Sequence, residues 1–148
     1  ADGKVVGVKR GEKEGLFEGT ETRISIFLSP FDVHVNRAPA RGTVEDVRYQ
    51  KGSFFAAYKD EASQSNEKNA ISIVGPGGRK LGVVQIAGVL ARRIICYVKQ
   101  GDALEPGQKF GLIMFGSRVD LFLPGGTRVD VVEGQRVRAG ETIIGRFP

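Results

Sequence analysis

Short β-prone runs, separated at close intervals by glycine, proline, asparagine and aspartate, are the feature that most limits what this chain can fold into. The 148 residues include 21 glycines and no tryptophan. This spacing is typical of strands joined by tight turns, and no segment has the apolar periodicity of a long helix. We therefore predict one all-β, mainly antiparallel domain over residues 1–148. A β-sandwich or flattened barrel built from repeated hairpins, with little helix, fits this pattern.

Eleven segments combine β-branched or aromatic residues with flanking turn residues. In TRISIFLS, for example, Ile24, Ile26 and Leu28 alternate with more polar positions, which indicates a strand with one buried face. The predicted strands lie near 4–9, 22–29, 42–49, 53–58, 70–75, 79–86, 91–98, 110–115, 117–123, 127–132 and 142–147.

A weak internal repeat supports the hairpin architecture. The segments YVKQGDALEPGQKFGL and DVVEGQRVRAGETIIGR share a strand, a glycine turn, one apolar residue and a return strand. The matched positions are Gly101 with Gly134, Leu104 with Val137, and Gly107 with Gly140. Repeated hairpins of this kind are what a sandwich or flattened barrel requires.

The charge pattern restricts the partners. The formal net charge is +5, which favours anionic partners such as nucleic acid or an anionic lipid surface. No basic run exceeds two residues and aromatic residues do not alternate with basic ones, so a nucleic-acid surface is disfavoured. The longest apolar stretch, VVQIAGVLARRIICYV, is broken by Arg92 and Arg93, which argues against a membrane-spanning helix.

Few residues could carry catalysis. The chain has one histidine, His34, and one cysteine, Cys96, which cannot supply the usual tetrahedral ligand set of a zinc site, so we expect no metal. His34 is also the only side chain whose ordinary pKa suits a base near neutral pH, although a structural histidine is the alternative.

The stretch FGSR interrupts the apolar run KFGLIMFGSRVDLFLP. Glycine weakens a strand interior and often marks a bulge or a close backbone approach. Here it is followed directly by the hydroxyl of Ser117. A serine in a strained glycine turn is a candidate nucleophile if a base can deprotonate it.

Four stretches, taken together, resemble one family. ADGKV, SPFDVHVNRAP, the polar segment ending in NEKN, and FGSRVDLFLP occur in the order and approximate spacing found in phosphatidylserine decarboxylases. The whole chain resembles the short prokaryotic, pyruvoyl-dependent form of these enzymes, with its N-terminal part missing. Each stretch alone is a weak signal, and the histidine segment combined with FGSR is the specific one.

The resemblance implies self-cleavage between Gly116 and Ser117, giving a β chain of residues 1–116 and an α chain of residues 117–148. Ser117 would become a pyruvoyl group, the cofactor of the enzyme. The ketone would form a Schiff base with the amine of phosphatidylserine and accept electrons as carbon dioxide leaves. Phosphatidylethanolamine would then be released by hydrolysis.

The resemblance also implies roles for individual side chains. Asp2 falls on the aspartate that orients the maturation base, and His34 falls on a histidine implicated in decarboxylation. Many relatives have a second histidine three positions later, where this chain has Arg37, so His34 is expected to serve both steps. Asp32 is a rival to Asp2, because residues two apart on a strand share a face.

Two arginines are candidates for binding the substrate. Arg118 and Arg37 could hold the lipid phosphate or carboxylate through bidentate contacts, and solvated surface arginines are the alternative.

Two other functions remain open from the residues. One is a pyruvoyl decarboxylase of a soluble amino acid. The other is a carrier or assembly domain of the lipoyl or biotinyl type, which the repeated hairpins suggest and which FGSRVD, having no lysine to modify, disfavours.

If the chain is a phosphatidylserine decarboxylase, we expect a peripheral enzyme at the cytoplasmic face of the cell membrane, anchored by an apolar segment upstream of Ala1. We expect its cleavage fragments to stay associated and the protein to form a homo-oligomer.

Overall fold

A computed structural model describes residues 1–12, 21–29, 32, 35–53, 65–89, 93–113 and 116–148. These residues contain thirteen strands and a short 3-10 turn at Pro76–Gly78. The strands are β1 (Gly3–Glu12), β2 (Glu21–Leu28), β3 (Val35–Arg37), β4 (Gly42–Gln50), β5 (Lys68–Val74), β6 (Lys80–Ile86), β7 (Ile94–Cys96), β8 (Ala103–Leu104), β9 (Lys109–Ile113), β10 (Ser117–Pro124), β11 (Arg128–Val129), β12 (Arg136–Val137) and β13 (Gly145–Arg146).

The strands form three antiparallel sheets. The largest has eight strands in the order β12-β1-β2-β10-β6-β5-β4-β8. A three-stranded sheet has the order β3-β9-β7, and β11 pairs with β13. No helix among the described residues has the length and apolar character needed to cross a lipid bilayer. The all-β, mainly antiparallel class expected from the sequence is confirmed.

The internal repeat has a structural counterpart at the two edges of the large sheet. The N–H of Gly134 donates to the carbonyl of Val5, and the N–H of Gly101 donates to the carbonyl of Val44, each at 2.8 Å. Both glycines have positive φ, +91° and +94°, which the tight turn requires. The strand order is accordingly the same from each edge inward, with β12-β1-β2-β10 matching β8-β4-β5-β6.

The core lies on the inner face of the large sheet. Alternation along β10 turns Val119, Leu121 and Leu123 toward this core, and all three are buried. Each buried aliphatic side chain contributes about 1.5–3 kcal/mol. The other core residues include Val5, Ile24, Ile26, Leu28, Val44, Ile71, Ile73, Leu81, Val83, Leu104, Phe110, Ile113, Val131 and Val137. The central strand β10 is therefore held from both sides and from its inner face.

The long strands agree with the prediction better than the short ones. In the described part of the predicted strand 91–98, only Ile94–Cys96 is a strand, and the predicted strand 142–147 is reduced to Gly145–Arg146. The three-residue strand β3 was not predicted, because a strand this short has no visible alternation and is defined by its pairing with β9. The predicted strand 53–58 lies mostly outside the described residues, apart from the bridge between Ser53 and Asn66.

Candidate active site around Ser117

Gly116 has a left-handed backbone conformation that explains the glycine in the FGSR stretch. Its φ is +74°, and its N–H donates to the carbonyl of Leu28 at 3.0 Å. A Cβ added at this position would meet no atom of the described residues within 4 Å. The backbone conformation, rather than lack of space, is therefore what favours glycine here.

Ser117 begins β10 directly after this glycine and pairs with Leu28 of β2. Its side chain is fully buried, at 0% exposure. Among the residues that the structure describes, the Oγ atom has no hydrogen-bond partner. A buried hydroxyl without a partner costs free energy, so such an atom calls for a functional explanation.

Arg118 lies on the opposite face of β10 from Ser117, since successive strand residues point to opposite faces. Its Nη2 donates to Oδ2 of Asp120 at 3.0 Å, and its Nε lies 2.9 Å from Oδ1. The second contact satisfies the ion-pair distance but is not aligned as a hydrogen bond. Arg118 is 1% exposed, so the alternative of a solvated surface arginine does not hold for it.

Further positive charge surrounds Asp120. Nη1 of Arg23 lies 4.0 Å from its Oδ2. Burial lowers the pKa of Lys68, and the Asp120 carboxylate partly opposes that shift. The outer face of β10 thus carries a buried charge cluster immediately behind the candidate reaction centre.

Asp2 lies near the same end of the sheet as Ser117. β1 and β10 both pair with β2, where Lys4 is opposite Phe27 and Ser117 is opposite Leu28. One oxygen of Asp2, Oδ1, accepts a hydrogen bond from the N–H of Ala139 at 2.6 Å. Within the described ranges, its Oδ2 has no hydrogen-bond partner and remains available to orient a base.

The prediction for His34 lies outside the described residues. The next residue, Val35, begins β3 and pairs with Leu112 of β9. Only residues 114 and 115 separate the end of β9 from Gly116. Val35 also lines a polar pocket of about 480 Å³ together with Asp2 and Arg37. Val35, the described residue next to His34, therefore shares a pocket with Asp2 and pairs near the end of β9 that leads to Gly116.

Asp32, the rival orienting carboxylate, has both oxygens engaged. Its Oδ2 accepts from the N–H of Ser29 at 2.8 Å, and its Oδ1 accepts from Nη2 of Arg136 at 2.6 Å. These contacts join Asp32 to the end of β2 and to β12. They give Asp32 a structural task.

Arg37 lies between two pockets. Its Nη1 donates to the carbonyl of Gly107 at 2.8 Å. The same side chain lines both the polar pocket and a cavity of about 350 Å³ walled by apolar residues of β2, β6 and β10, among them Ile26, Val83 and Leu121.

Arg138, which sequence reasoning missed, lines both pockets as well. No local sequence signal marks it, because the pocket is formed by residues distant in sequence. The two arginines place positive charge at the junction of a polar pocket and an apolar one.

A group of buried amides was also missed. Asn36, Asn69 and Gln85 are buried and joined by hydrogen bonds. The available signal was Gln85 itself, a polar residue at a core-facing position of the apolar run KLGVVQI.

Comparison with known proteins identifies the family of the chain. Residues 1–145 match the model of the phosphatidylserine decarboxylase family. The chain is 44% identical over 99% of its length to the phosphatidylserine decarboxylase proenzyme of Desulfotalea psychrophila, covering 69% of that protein. The proenzyme of Azorhizobium caulinodans is 51% identical over 99% of this chain, which covers 64% of it. That of Salinibacter ruber is 47% identical over the whole chain, which covers 65% of it.

These curated relatives are longer than the chain, which spans about two thirds of their length. No solved structure gave a significant match. The family match extends from Asp2 through the FGSR stretch, and thus includes every candidate residue of the site. The chain therefore belongs to the phosphatidylserine decarboxylase family.

Proposed function

We propose that this protein is a self-processing decarboxylase that converts phosphatidylserine to phosphatidylethanolamine and carbon dioxide. The names of its relatives, which are phosphatidylserine decarboxylase proenzymes, support the substrate and a processing step. The observation that carries the proposal is the buried Ser117 hydroxyl, without a described partner, directly after a left-handed glycine. That arrangement fits a serine that is consumed to make a pyruvoyl group.

Processing would begin with attack of Ser117 Oγ on the carbonyl carbon of Gly116. The serine proton passes to a base, the Gly116–Ser117 amide breaks, and an ester joins the same two residues. Loss of the Ser117 α-proton then expels the Gly116 carboxylate and leaves dehydroalanine. Tautomerisation and addition of water release ammonia and leave a ketone at the new N-terminus. The pairing of Gly116 and Ser117 with Leu28 would hold the reacting atoms close together.

His34 is the proposed base, and Asp2 the proposed carboxylate that orients it. Arg37, where relatives often have a second histidine, stays protonated and cannot accept the serine proton. His34 would therefore serve both in processing and in returning a proton to the substrate. The Asp2 oxygen that has no partner among the described residues, and the pocket that Asp2 shares with Val35, support this pairing.

The pyruvoyl group would supply a covalent electron sink for an amine substrate. The fold fixes where this group would lie, because Ser117 faces the inner side of the sheet and is buried from solvent. We assign the lipid phosphate to Arg37 and Arg138, which line the junction of the polar pocket and the apolar cavity. Arg118 is less suited to that task, because its guanidinium is paired with Asp120 on the other face of β10.

We further propose that the enzyme works as a peripheral protein on an anionic membrane surface at the cytoplasmic side. The net charge of +5 supports this location. We also propose that the cleavage fragments remain associated and that the protein forms a homo-oligomer.

The function is tested by following release of carbon dioxide from phosphatidylserine in detergent micelles. We expect release from phosphatidylserine and none from free serine or other soluble amino acids, with Ser117→Ala inactive as the matched control. Activity toward a soluble amino acid with none toward the lipid would contradict the proposed substrate.

A further inference from the structure

Three buried amide side chains link the eight-stranded sheet to the three-stranded sheet. Asn69 Nδ2 donates to Gln85 Oε1 at 3.0 Å, and Gln85 Nε2 donates to Asn36 Oδ1 at 2.8 Å. Their exposures are 3%, 0% and 1%, in the order Asn69, Gln85, Asn36. The chain of hydrogen bonds crosses from β5 and β6 of the large sheet to β3 of the three-stranded sheet.

The orientation of the amides is fixed by a backbone carbonyl. The carbonyl of Ile95, which can only accept, lies 3.3 Å from Gln85 Nε2. The nitrogen of Gln85 must therefore face Ile95 and Asn36, which places the oxygen of Asn36 against Gln85. The remaining atom, Asn36 Nδ2, has no hydrogen-bond partner among the described residues.

Gly111 shows that this arrangement is built into the fold. Gly111 pairs with Asn36 across β3 and β9. A Cβ at Gly111 would lie 2.6 Å from Gln85 Nε2 and 2.5 Å from the carbonyl oxygen of Ile95. Only glycine therefore leaves room for the Gln85 amide to reach Asn36.

The strand register places the amide chain on the same face of the large sheet as Ser117. Gln85 is directly opposite Val119, so the two side chains share the inner face. Ser117 is two residues before Val119 on that face, about 7 Å along the strand. Asn36 contacts Gln85 from the three-stranded sheet. In that sheet β3 is paired with β9, which leads toward Gly116. A buried donor and a buried hydroxyl, both without described partners, thus lie on the inner side of the large sheet, where Gln85 and Ser117 point.

We propose that Asn36 Nδ2 binds the carboxylate of the amino acid head group while the substrate is held at Ser117. This assignment rests on the proposed function, because it takes the substrate from there. A carboxylate is the strongest acceptor that such a head group offers to a buried N–H. An arginine would pair with the negative charge and stabilise the carboxylate, which would oppose its loss as neutral carbon dioxide. A neutral amide can hold the carboxylate without this effect. Asn36 would accordingly distinguish substrate from product, which lacks the carboxylate.

The test uses the full chain with Asn36→Asp, which keeps an oxygen for Gln85 and removes the donor. Asn36→Leu removes the donor without adding charge. We expect kcat/KM for phosphatidylserine to fall roughly 10- to 100-fold in both variants, the range of one hydrogen bond to a charged group. Calorimetric binding of short-chain phosphatidylethanolamine should stay within about twofold of wild type, because this lipid makes no carboxylate contact.

Asn69→Ala is the matched control, since it removes the other hydrogen bond to Gln85 and leaves Asn36 Nδ2 in place. It should change kcat/KM for phosphatidylserine and the affinity for phosphatidylethanolamine by the same factor. Thermal unfolding and the fraction of cut chain, measured by mass, show whether each variant folds and matures.

The assignment would be overturned if the Asn36 variants lost as much affinity for phosphatidylethanolamine as kcat/KM for phosphatidylserine. Unchanged kcat/KM in these variants would also overturn it. A wild-type protein that neither matures nor releases carbon dioxide would instead refute the proposed function. In that case, calorimetry with short-chain phosphatidylserine and phosphatidylethanolamine would still decide whether Asn36 contacts a carboxylate.

Discussion

At the scale of single residues, Gly116 and Ser117 meet two different requirements at one peptide bond. Gly116 provides a left-handed conformation at φ +74° with open space around its Cα. Ser117 provides a buried hydroxyl that the described surroundings leave unpaired. The sequence singled out both residues, because a glycine followed by serine is unexpected inside an apolar strand. The reason for the glycine, positive φ rather than close packing, required the structure.

Gly116→Ala tests the contribution of this conformation. An alanine at positive φ costs about 1–2 kcal/mol, so we expect slower self-cleavage with the chain still folded. Gly77→Ala is the matched control, since Gly77 has the same φ of +74° and equally open surroundings in a turn between β5 and β6. The fraction of cut chain over time, measured by gel or mass, gives the readout. Equal cutting rates in the two variants would show that the backbone conformation of Gly116 is not used.

His34→Ala should abolish both maturation and decarboxylation. General acid-base assistance is worth about 10²–10⁴-fold, so each defect should be large. Arg37→His in the His34→Ala background adds back the second histidine of relatives. Restored cutting without restored decarboxylation would show that the two tasks are separable. Normal cutting and near-normal product formation in His34→Ala alone would refute a catalytic role for this residue.

Asp2→Asn and Asp32→Asn compare the two candidate orienting carboxylates. We expect Asp2→Asn to slow cutting by at least about tenfold, because it removes the charge that would steady the base. Asp32→Asn should change the cutting rate less and lower the melting temperature, since Asp32 is engaged by Ser29 and Arg136. The reverse ranking of cutting rates would assign the orienting role to Asp32.

At the scale of elements, β10 separates two environments. Its inner face carries Ser117 and core residues, and its outer face carries the buried pair of Arg118 and Asp120. Long alternating strands such as β2 and β10 could be predicted, because their period of two is visible in the sequence. The short strands β8 and β12 could not be predicted from alternation, since each is two residues long and is defined by pairing with a distant strand.

The amide chain through Gln85 illustrates the same limit within the site. Its members are 16 and 49 residues apart in sequence, and no local pattern links them. The candidate residues of the FGSR stretch, by contrast, could be found because they are adjacent.

Asp120→Asn tests the buried pair behind Ser117. Removing one partner of a buried ion pair leaves the other charge uncompensated, so we expect a loss of about 3–5 kcal/mol in the free energy of unfolding. Asp46→Asn is the control, because its pair with Arg48 is largely exposed and should be worth less than about 1 kcal/mol. Urea unfolding of both variants in the Ser117→Ala background gives the comparison without interference from cleavage. Similar losses in the two variants would contradict the importance of burial.

At the scale of the whole molecule, the proposed cut falls in the middle of the large sheet. Residues 117–148 contribute β10 between β2 and β6, and β12 beside β1. The inner face of β10 buries Val119, Leu121 and Leu123 against strands of the first fragment. Strands cannot bury such faces alone, so both fragments should elute together in native buffer and separate only in denaturant.

The mass of the denatured protein tests the central claim most directly. The account predicts two chains, residues 1–116 and residues 117–148. The smaller chain should be lighter, by the mass of one ammonia, than hydrolysis of the Gly116–Ser117 bond would give, because the serine amine is lost when the ketone forms. Ser117→Ala should give one intact chain. A single full-length species in protein that decarboxylates phosphatidylserine would contradict the account.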